Sequence, residues 1–349
     1  DANDLRTRIQ TTLDEFVAQH REVMESVSPD TLPLVESLNG LLQGGKRLRA
    51  AFAYWGYRAT GRMDSDEIVR AASSLEFLQA CALIHDDVMD NSDTRRGKPA
   101  SHKQFESLHK NSSWHADSAK FGEGAAILIG DLALSWADEL LFVSGLEPDE
   151  LHRAKTVYDI MRTELMAGQY LDLLEQARRN TTEQRALTVI RYKSAKYTIE
   201  RPLHMGSAIA NAEPVLMDSL SAYGLALGEA FQLRDDVLGV FGDAAVTGKP
   251  AGDDLRERKQ TVLVARTIAA LDTADRARFN QLFAADSNTN EEISELQELI
   301  VNSGALATIE ATIEAQTDAA LNAIQLDECD SQARDALTQL AILATQRTF

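Results

Sequence analysis

Apolar residues recur at helical spacing along nearly the whole chain, and no stretch alternates apolar and polar positions convincingly enough for a half-buried strand. Leu5, Ile9, Leu13, Phe16 and Val17 predict a packing helix over residues 4–26, interrupted by Ser28-Pro29-Asp30. A second helix begins over Leu34 to Leu42 and runs into Gly44-Gly45-Lys46-Arg47-Leu48-Arg49. A long helical segment covers residues 66–90. Residues 122–144 read as a nearly all-apolar helix holding Asp131 and Glu139, which suggests a central place in the fold. Helices follow over 151–176, over 182–201 from a Thr-Thr-Glu start, and over 219–242, with closing helices in 261–283 and 291–345. The predicted class is all-α. Residues 244–259, with Thr247-Gly248-Lys249-Pro250-Ala251-Gly252, form a loop suited either to a mobile lid or to an ordinary helix connection.

Two of these helices end in paired aspartates. Leu83-Ile84-His85-Asp86-Asp87-Val88-Met89-Asp90 closes the first, and Phe231-Gln232-Leu233-Arg234-Asp235-Asp236 closes the second, with Asp243 beyond it. At about 100° per residue, Asp86 and Asp90 share a face, as do Asp236 and Asp243. Two unit charges about 4 Å apart repel by roughly 4 kcal/mol at the effective dielectric near a protein surface. Facing clusters of this kind therefore call for cations between them. Oxygen-only ligands indicate a hard ion, and Mg²⁺ typically bridges carboxylates to substrate phosphates. A solvated acidic face is the plainer account of one such cluster, but the apolar flanks Ala80 to Ile84 and Ala230-Phe231 place both at the ends of buried helices.

Composition narrows the partners. A chain of 349 residues, 44% hydrophobic, can bury one large core or two smaller ones. A formal charge of −19 disfavours nucleic acid and anionic membranes, while leaving room for a phosphorylated substrate in a locally basic cleft. Two distant cysteines, Cys81 and Cys329, no apolar run long enough for a membrane span and no signal-peptide pattern point to a cytoplasmic protein.

The basic residues near the acidic motifs then matter more than the total. Lys46 and Arg49, three apart, can meet a diphosphate together, though a solvated basic turn fits the same spacing. Arg95 and Arg96 lie in the breaker-rich turn Asn91 to Pro99, and guanidinium suits bidentate phosphate recognition. Gln79 shares the face of Asp86 two turns lower, as a satisfied core amide or as a ligand.

Taken in order, GGKRLR, LIHDDVMD with DTRRGKP, the Gly168-Gln169 pair, Lys193-Ser194-Ala195 and FQLRDDVLGVFGD followed by TGKPAGDD closely resemble the trans-isoprenyl diphosphate synthases. Five motifs in one order are far more specific than any one aspartate pair. The resemblance implies a single domain over 1–349, a bundle of mostly antiparallel helices around a deep cavity, and a homodimer. It also implies an allylic diphosphate held by three Mg²⁺ between the acidic motifs, beside a basic pocket for isopentenyl diphosphate. Carried over by position, Asp86 and Asp90 ligate two Mg²⁺ and Asp235 the third, supported by Asp87, Asp236 and Asp243. Arg95, Lys193, Gln232, Lys249 and Lys259 hold the allylic diphosphate, with Ser194 and Gln169 in the same motifs. Lys46, Arg49, Gln79 and Arg96 hold isopentenyl diphosphate, with Phe231 nearby. Gln79 stands where many members have His, and Ser194 where Thr is usual.

In the family, residues four and five before the first aspartate floor the cavity that takes the growing chain. Here they are the small Ala82 and Cys81, so Phe77 or Leu78 below them is expected to close it, giving the twenty-carbon geranylgeranyl diphosphate. Other chain lengths remain alternatives. A terpene cyclase, or a non-catalytic subunit of a heteromeric synthase, fits less well because both acidic motifs and GGKRLR are kept.

Overall fold

The computed structural model describes residues 2–242, 251–285 and 287–345. The first half comprises α1 (Ala2–Val27), α2 (Leu32–Leu42), α3 (Leu48–Arg58), α4 (Asp66–Met89), α5 (Ser101–Asn111), α6 (Ser118–Phe142) and α7 (Pro148–Arg178). Then come α8 (Glu183–Val189), α9 (Arg201–Ile209), α10 (Pro214–Phe241) and the short α11 (Asp253–Arg256). The chain closes with α12 (Val262–Ala270), α13 (Thr273–Phe283), α14 (Asn290–Asn302), α15 (Ala305–Ala323) and α16 (Ser331–Thr345). The all-α expectation holds, and the closing segments resolve into five helices, each starting at a polar cap or glycine such as Asp272, Thr289 or Gly304.

The strand pairing described is a two-residue ribbon, Thr94↔Pro99 and Arg95↔Lys98. Its turn is Arg96-Gly97, both at positive φ, the geometry a two-residue hairpin requires. The sequence pattern shows only a loop there, because two-residue strands are too short to alternate. Helix α6 is not buried all round: Phe121, Ile127 and Leu128 are exposed on it.

Helix α4 is the spine of the first core, where Ile68, Leu75, Phe77, Leu78 and Ile84 pack with α1 and α6. Helix α10 carries Leu233, Val237 and Val240 into a second core with α12, α14 and α15. The two acidic motifs thus lie at the ends of two rigid helices, each fixed by its own apolar packing.

Between α8 and α9 the helix widens into a π-helical segment, Ile190–Glu200, whose hydrogen bonds reach one residue further than in an α-helix. The single helix expected over 182–201 is therefore three pieces. The wider turn brings Lys193, Ser194, Tyr197 and Thr198 onto one face. Glycines let its neighbours come that close. A Cβ on Gly168 of α7 would stand 2.4 Å from the Lys193 amide nitrogen, and one on Gly228 of α10 would stand 2.5 Å from Ala195 Cα. Gly168→Ala should therefore destabilise the fold by about 1–3 kcal/mol through overpacking. A urea-unfolding midpoint that does not move would mean that α7 and this segment pack less closely.

Candidate active site

Helices α3, α4, α7 and α10, the π-helical segment, the ribbon and α11 enclose a cavity of about 970 Å³. Of the residues singled out in the sequence, Lys46, Arg49, Gln79, Ala82, Asp86, Arg95, Arg96, Gln169, Lys193, Ser194, Phe231, Gln232, Asp235, Asp236 and Lys259 all line it. They come from segments more than 200 residues apart, joined by folding alone. Lys249 and Asp243 lie outside the described residues.

Lys46 and Arg49 do not share a helical face as the spacing suggests, because α3 starts only at Leu48. Gly44, Gly45 and Arg47 at positive φ turn the chain into the cavity instead. Arg47 points the other way into the core, where it pairs with Glu76 at 2.9 Å.

Asp86 is the hub of the first motif. Lys193 Nζ lies 3.2 Å from it, Gln169 donates at 2.9 Å, and Arg95 stands at 3.5 Å. Burial works to raise its pKa, but Lys193 and Arg95 outweigh that and hold it below the usual carboxylate range. Lys193 also pairs with Asp172 at 2.6 Å. Burial disfavours the Lys193 charge, yet Asp172 and Asp86 together raise its pKa.

Asp87, also assigned to the metal set by the resemblance, does not border the cavity. It is buried, and Arg95 donates to it through Nε and a guanidinium terminus. The physical reason is the helix: Asp87 follows Asp86 by 100° and faces the ribbon instead. Asp90 caps α4, and its Oδ1 is buried with no hydrogen-bond partner among the described residues. Burial, then Asp86, pushes its pKa up to about 6.

In the second motif, Asp235 and Asp236 both line the cavity, and Gln232 donates to Asp236 at 2.8 Å. Gln232 is thus engaged with a carboxylate in this state. Burial, opposed by Gln232 and reinforced by Asp254 and Asp235, raises Asp236 from 3.8 to about 8. A raised carboxyl contributes stability that is complete below its ordinary pKa and disappears as pH rises through the folded value. Asp236→Asn should therefore gain melting temperature over the wild type, without metal, as pH goes from about 5 to about 9. An Asn variant whose advantage is flat across that range would contradict the buried, charge-crowded position.

The chain-length expectation is only partly met. Ala82 borders the cavity beside Leu83 and Leu165. Phe77 packs into the core instead, 5.3 Å from Phe16 and 5.9 Å from Trp136, and the buried Leu78 and Cys81 do not border the cavity either. Phe77 is turned toward Phe16 of α1 and Trp136 of α6, whereas Leu78, one turn below Ala82 on the same helical face, is packed in the core without bordering the cavity.

Asp172, Tyr197, Thr198 and Asp254 also line the cavity, unassigned by sequence reasoning. Asp172 lies three residues after Gln169 on one helix face, a spacing visible in the sequence. Tyr197 and Thr198 reach the cavity through the π-helical widening, which leaves no mark on apolar periodicity.

Among the described residues, no three His, Cys, Asp or Glu side chains converge on one point. Hard cations that keep water and take one or two carboxylates plus substrate phosphate need no such cage. The oxygen-only acids Asp86, Asp235 and Asp236 and the cations Lys193, Arg95 and Lys259 line the cavity and fit divalent ions sharing it with a diphosphate. Asp90, close to Asp86 and with its buried Oδ1 unpartnered among the described residues, does not itself border it.

Residues 33–300 match the model of the polyprenyl synthetase family. The chain belongs to that family. A short chain isoprenyl diphosphate synthase from Methanothermobacter thermautotrophicus is 29% identical over 99% of this chain and 98% of its own. An octaprenyl diphosphate synthase from Escherichia coli is 28% identical over 97% of each chain. A geranylgeranyl pyrophosphate synthase from Corynebacterium glutamicum, complexed with isoprenyl diphosphate and magnesium, superposes with a TM-score of 0.95 at 38% identity over all of both chains. These relatives are all-α trans-prenyl synthases of several chain lengths, and this chain shares their fold and their trans-prenyltransferase activity. Among its described residues no helix is long and apolar enough to cross a membrane.

Proposed function

We propose that this polyprenyl synthetase condenses isopentenyl diphosphate with an allylic diphosphate, dimethylallyl, geranyl or farnesyl, to give all-trans geranylgeranyl diphosphate. The observation that carries the reading is the pairing of two cation sets in one cavity. Lys193 and Arg95 lie at the first acidic motif, while Lys46, Arg49 and Arg96 lie on the cavity wall that includes Gln79. Two diphosphates need two such sets, and a hydrolase or cyclase needs one.

Three Mg²⁺, held by Asp86, Asp90 and Asp235 with support from Asp236, would neutralise charge on the leaving diphosphate. Lys193 and Arg95 add positive charge where the allylic C–O bond breaks, and Asp172 and Asp87 keep them aimed. Lys259, paired with Asp254 at 2.9 Å, sits at the second motif for the same purpose. Phe231, Leu165, Val189 and Ile190 supply an apolar wall that keeps water from the allylic cation. Isopentenyl diphosphate then attacks through its double bond, and the departing diphosphate takes the proton. No His or Glu lines the cavity among the described residues, in keeping with a substrate-borne base.

The small Ala82 on the cavity wall and the similarity to a geranylgeranyl synthase support a twenty-carbon product. The exposed apolar residues Phe121, Ile127 and Leu128 of α6, with Ile160, Met166 and Tyr170 of α7, support a homodimer formed over this face. Two free, buried cysteines accord with a reducing cytoplasm.

The reading is tested by measuring diphosphate released from isopentenyl and geranyl diphosphates with and without Mg²⁺. Release should require both substrates and cease on chelation. Metal-independent release, or release from geranyl diphosphate alone, would contradict it.

A further inference from the structure

One buried side chain touches both a member of the second cation set, Arg49, and the neighbouring amide of Gln79. Tyr197, on the π-helical segment, is 3% exposed and donates its phenolic O–H to Gln79 Oε1 at 2.9 Å. The Arg49 guanidinium lies 4.2 Å over its ring, and Arg49 donates to the adjacent Thr198 Oγ1 at 2.7 Å. Arg49 Nε is buried without a partner among the described residues.

The two ends of a carboxamide are chemically opposite. The oxygen repels an anion, whereas the NH₂ group donates to one. A phenol that donates to Gln79 Oε1 occupies the wrong end and leaves Nε2 for a ligand in the cavity. Burial, opposed by Arg49, raises the phenol well above its ordinary pKa, so it remains a donor.

We infer that Tyr197 is a positioning residue for the isopentenyl diphosphate pocket, fixing Gln79 with its amide donor toward the diphosphate while its ring steadies Arg49. This rests on the proposed function and names how one subsite is preorganised. The step it predicts is binding rather than ionisation, because Gln79 belongs to the isopentenyl set.

Tyr197→Phe keeps the ring beneath Arg49 and removes only the hydroxyl. Its KM for isopentenyl diphosphate should rise about three- to tenfold, as expected for one hydrogen bond, with a smaller change in kcat and in KM for the allylic substrate. In a Gln79→Ala background the same change should have no further effect, since nothing is left to orient. Gln79→Glu should bind isopentenyl diphosphate more weakly than Gln79→Ala, because the hydroxyl still holds one oxygen and the other faces the anion. This variant tests the same geometry should Tyr197→Phe fail to fold.

An equal effect of Tyr197→Phe in both backgrounds, an unchanged KM, or Gln79→Glu binding as tightly as wild type would overturn the inference. Calorimetric titration of wild type with isopentenyl diphosphate separates the two levels. No binding by wild type overturns the functional reading and the inference together, whereas normal wild-type binding that Tyr197→Phe leaves intact overturns the inference alone.

Discussion

Asp86→Asn is expected to lower kcat by about 10²–10³-fold, equivalent to roughly 3–4 kcal/mol of transition-state stabilisation, with little change in melting temperature. The size follows from what converges on this carboxylate: Lys193 at 3.2 Å, Gln169 at 2.9 Å and Arg95 at 3.5 Å. An amide keeps the shape and loses the charge. It cannot hold a divalent ion as a carboxylate does, and it leaves Lys193 to its remaining acidic partner, Asp172. Stability should change little because the attraction lost to Lys193 and Arg95 is offset by relief of Asp90, whose pKa Asp86 helps to push up, while Lys193 keeps Asp172. Single-turnover rates together with thermal melts check both halves. A variant with near-normal turnover would remove Asp86 from the chemistry, and a variant that unfolds would make it a structural residue.

Ala82→Phe is expected to change the product rather than the rate. Ala82 lies one helical turn, about 5.4 Å, from Asp86 and borders the cavity. A phenyl ring there occupies the space into which the chain grows, so twenty-carbon product should fall at least about tenfold in favour of fifteen carbons or fewer, a loss a steric block of a few kcal/mol readily produces. Phe77→Ala supplies the contrast. Phe77 packs against Phe16 and Trp136 in the core, so its truncation should cost about 3–5 kcal/mol of stability and leave chain length unchanged. Longer products from Phe77→Ala, with normal length from Ala82→Phe, would reverse the two assignments.

The sequence discloses the ends of the helices better than it discloses their faces. Asp86 and Asp235 are recognisable because charge at the end of an apolar helix is costly unless used, and both line the cavity as expected. Asp87, one residue on, carries the same charge but faces Arg95, a distinction made only by the rotation of α4 against its neighbours. Phe77 is set by the same rotation: five residues before Ala82, it packs against Phe16 of α1 and Trp136 of α6 and does not border the cavity. The π-helical widening at Ile190–Glu200 is invisible to a pattern of period 3.6, and with it goes the placement of Tyr197 and Thr198. Arg47, central in the most basic motif, turns to Glu76 because a positive φ at that residue reverses its direction. Local chemistry was legible wherever one residue type sufficed, and illegible wherever a turn of the backbone chose between two neighbours.

The central claim is a two-substrate condensation that stops at twenty carbons. It is tested most directly by incubating the purified protein with Mg²⁺, isopentenyl diphosphate and, in turn, dimethylallyl, geranyl and farnesyl diphosphates, and sizing the products by chromatography. The account predicts one dominant product from all three starters, all-trans geranylgeranyl diphosphate. Failure to condense any starter would contradict the activity itself, and a dominant product of thirty carbons or more would contradict the twenty-carbon limit.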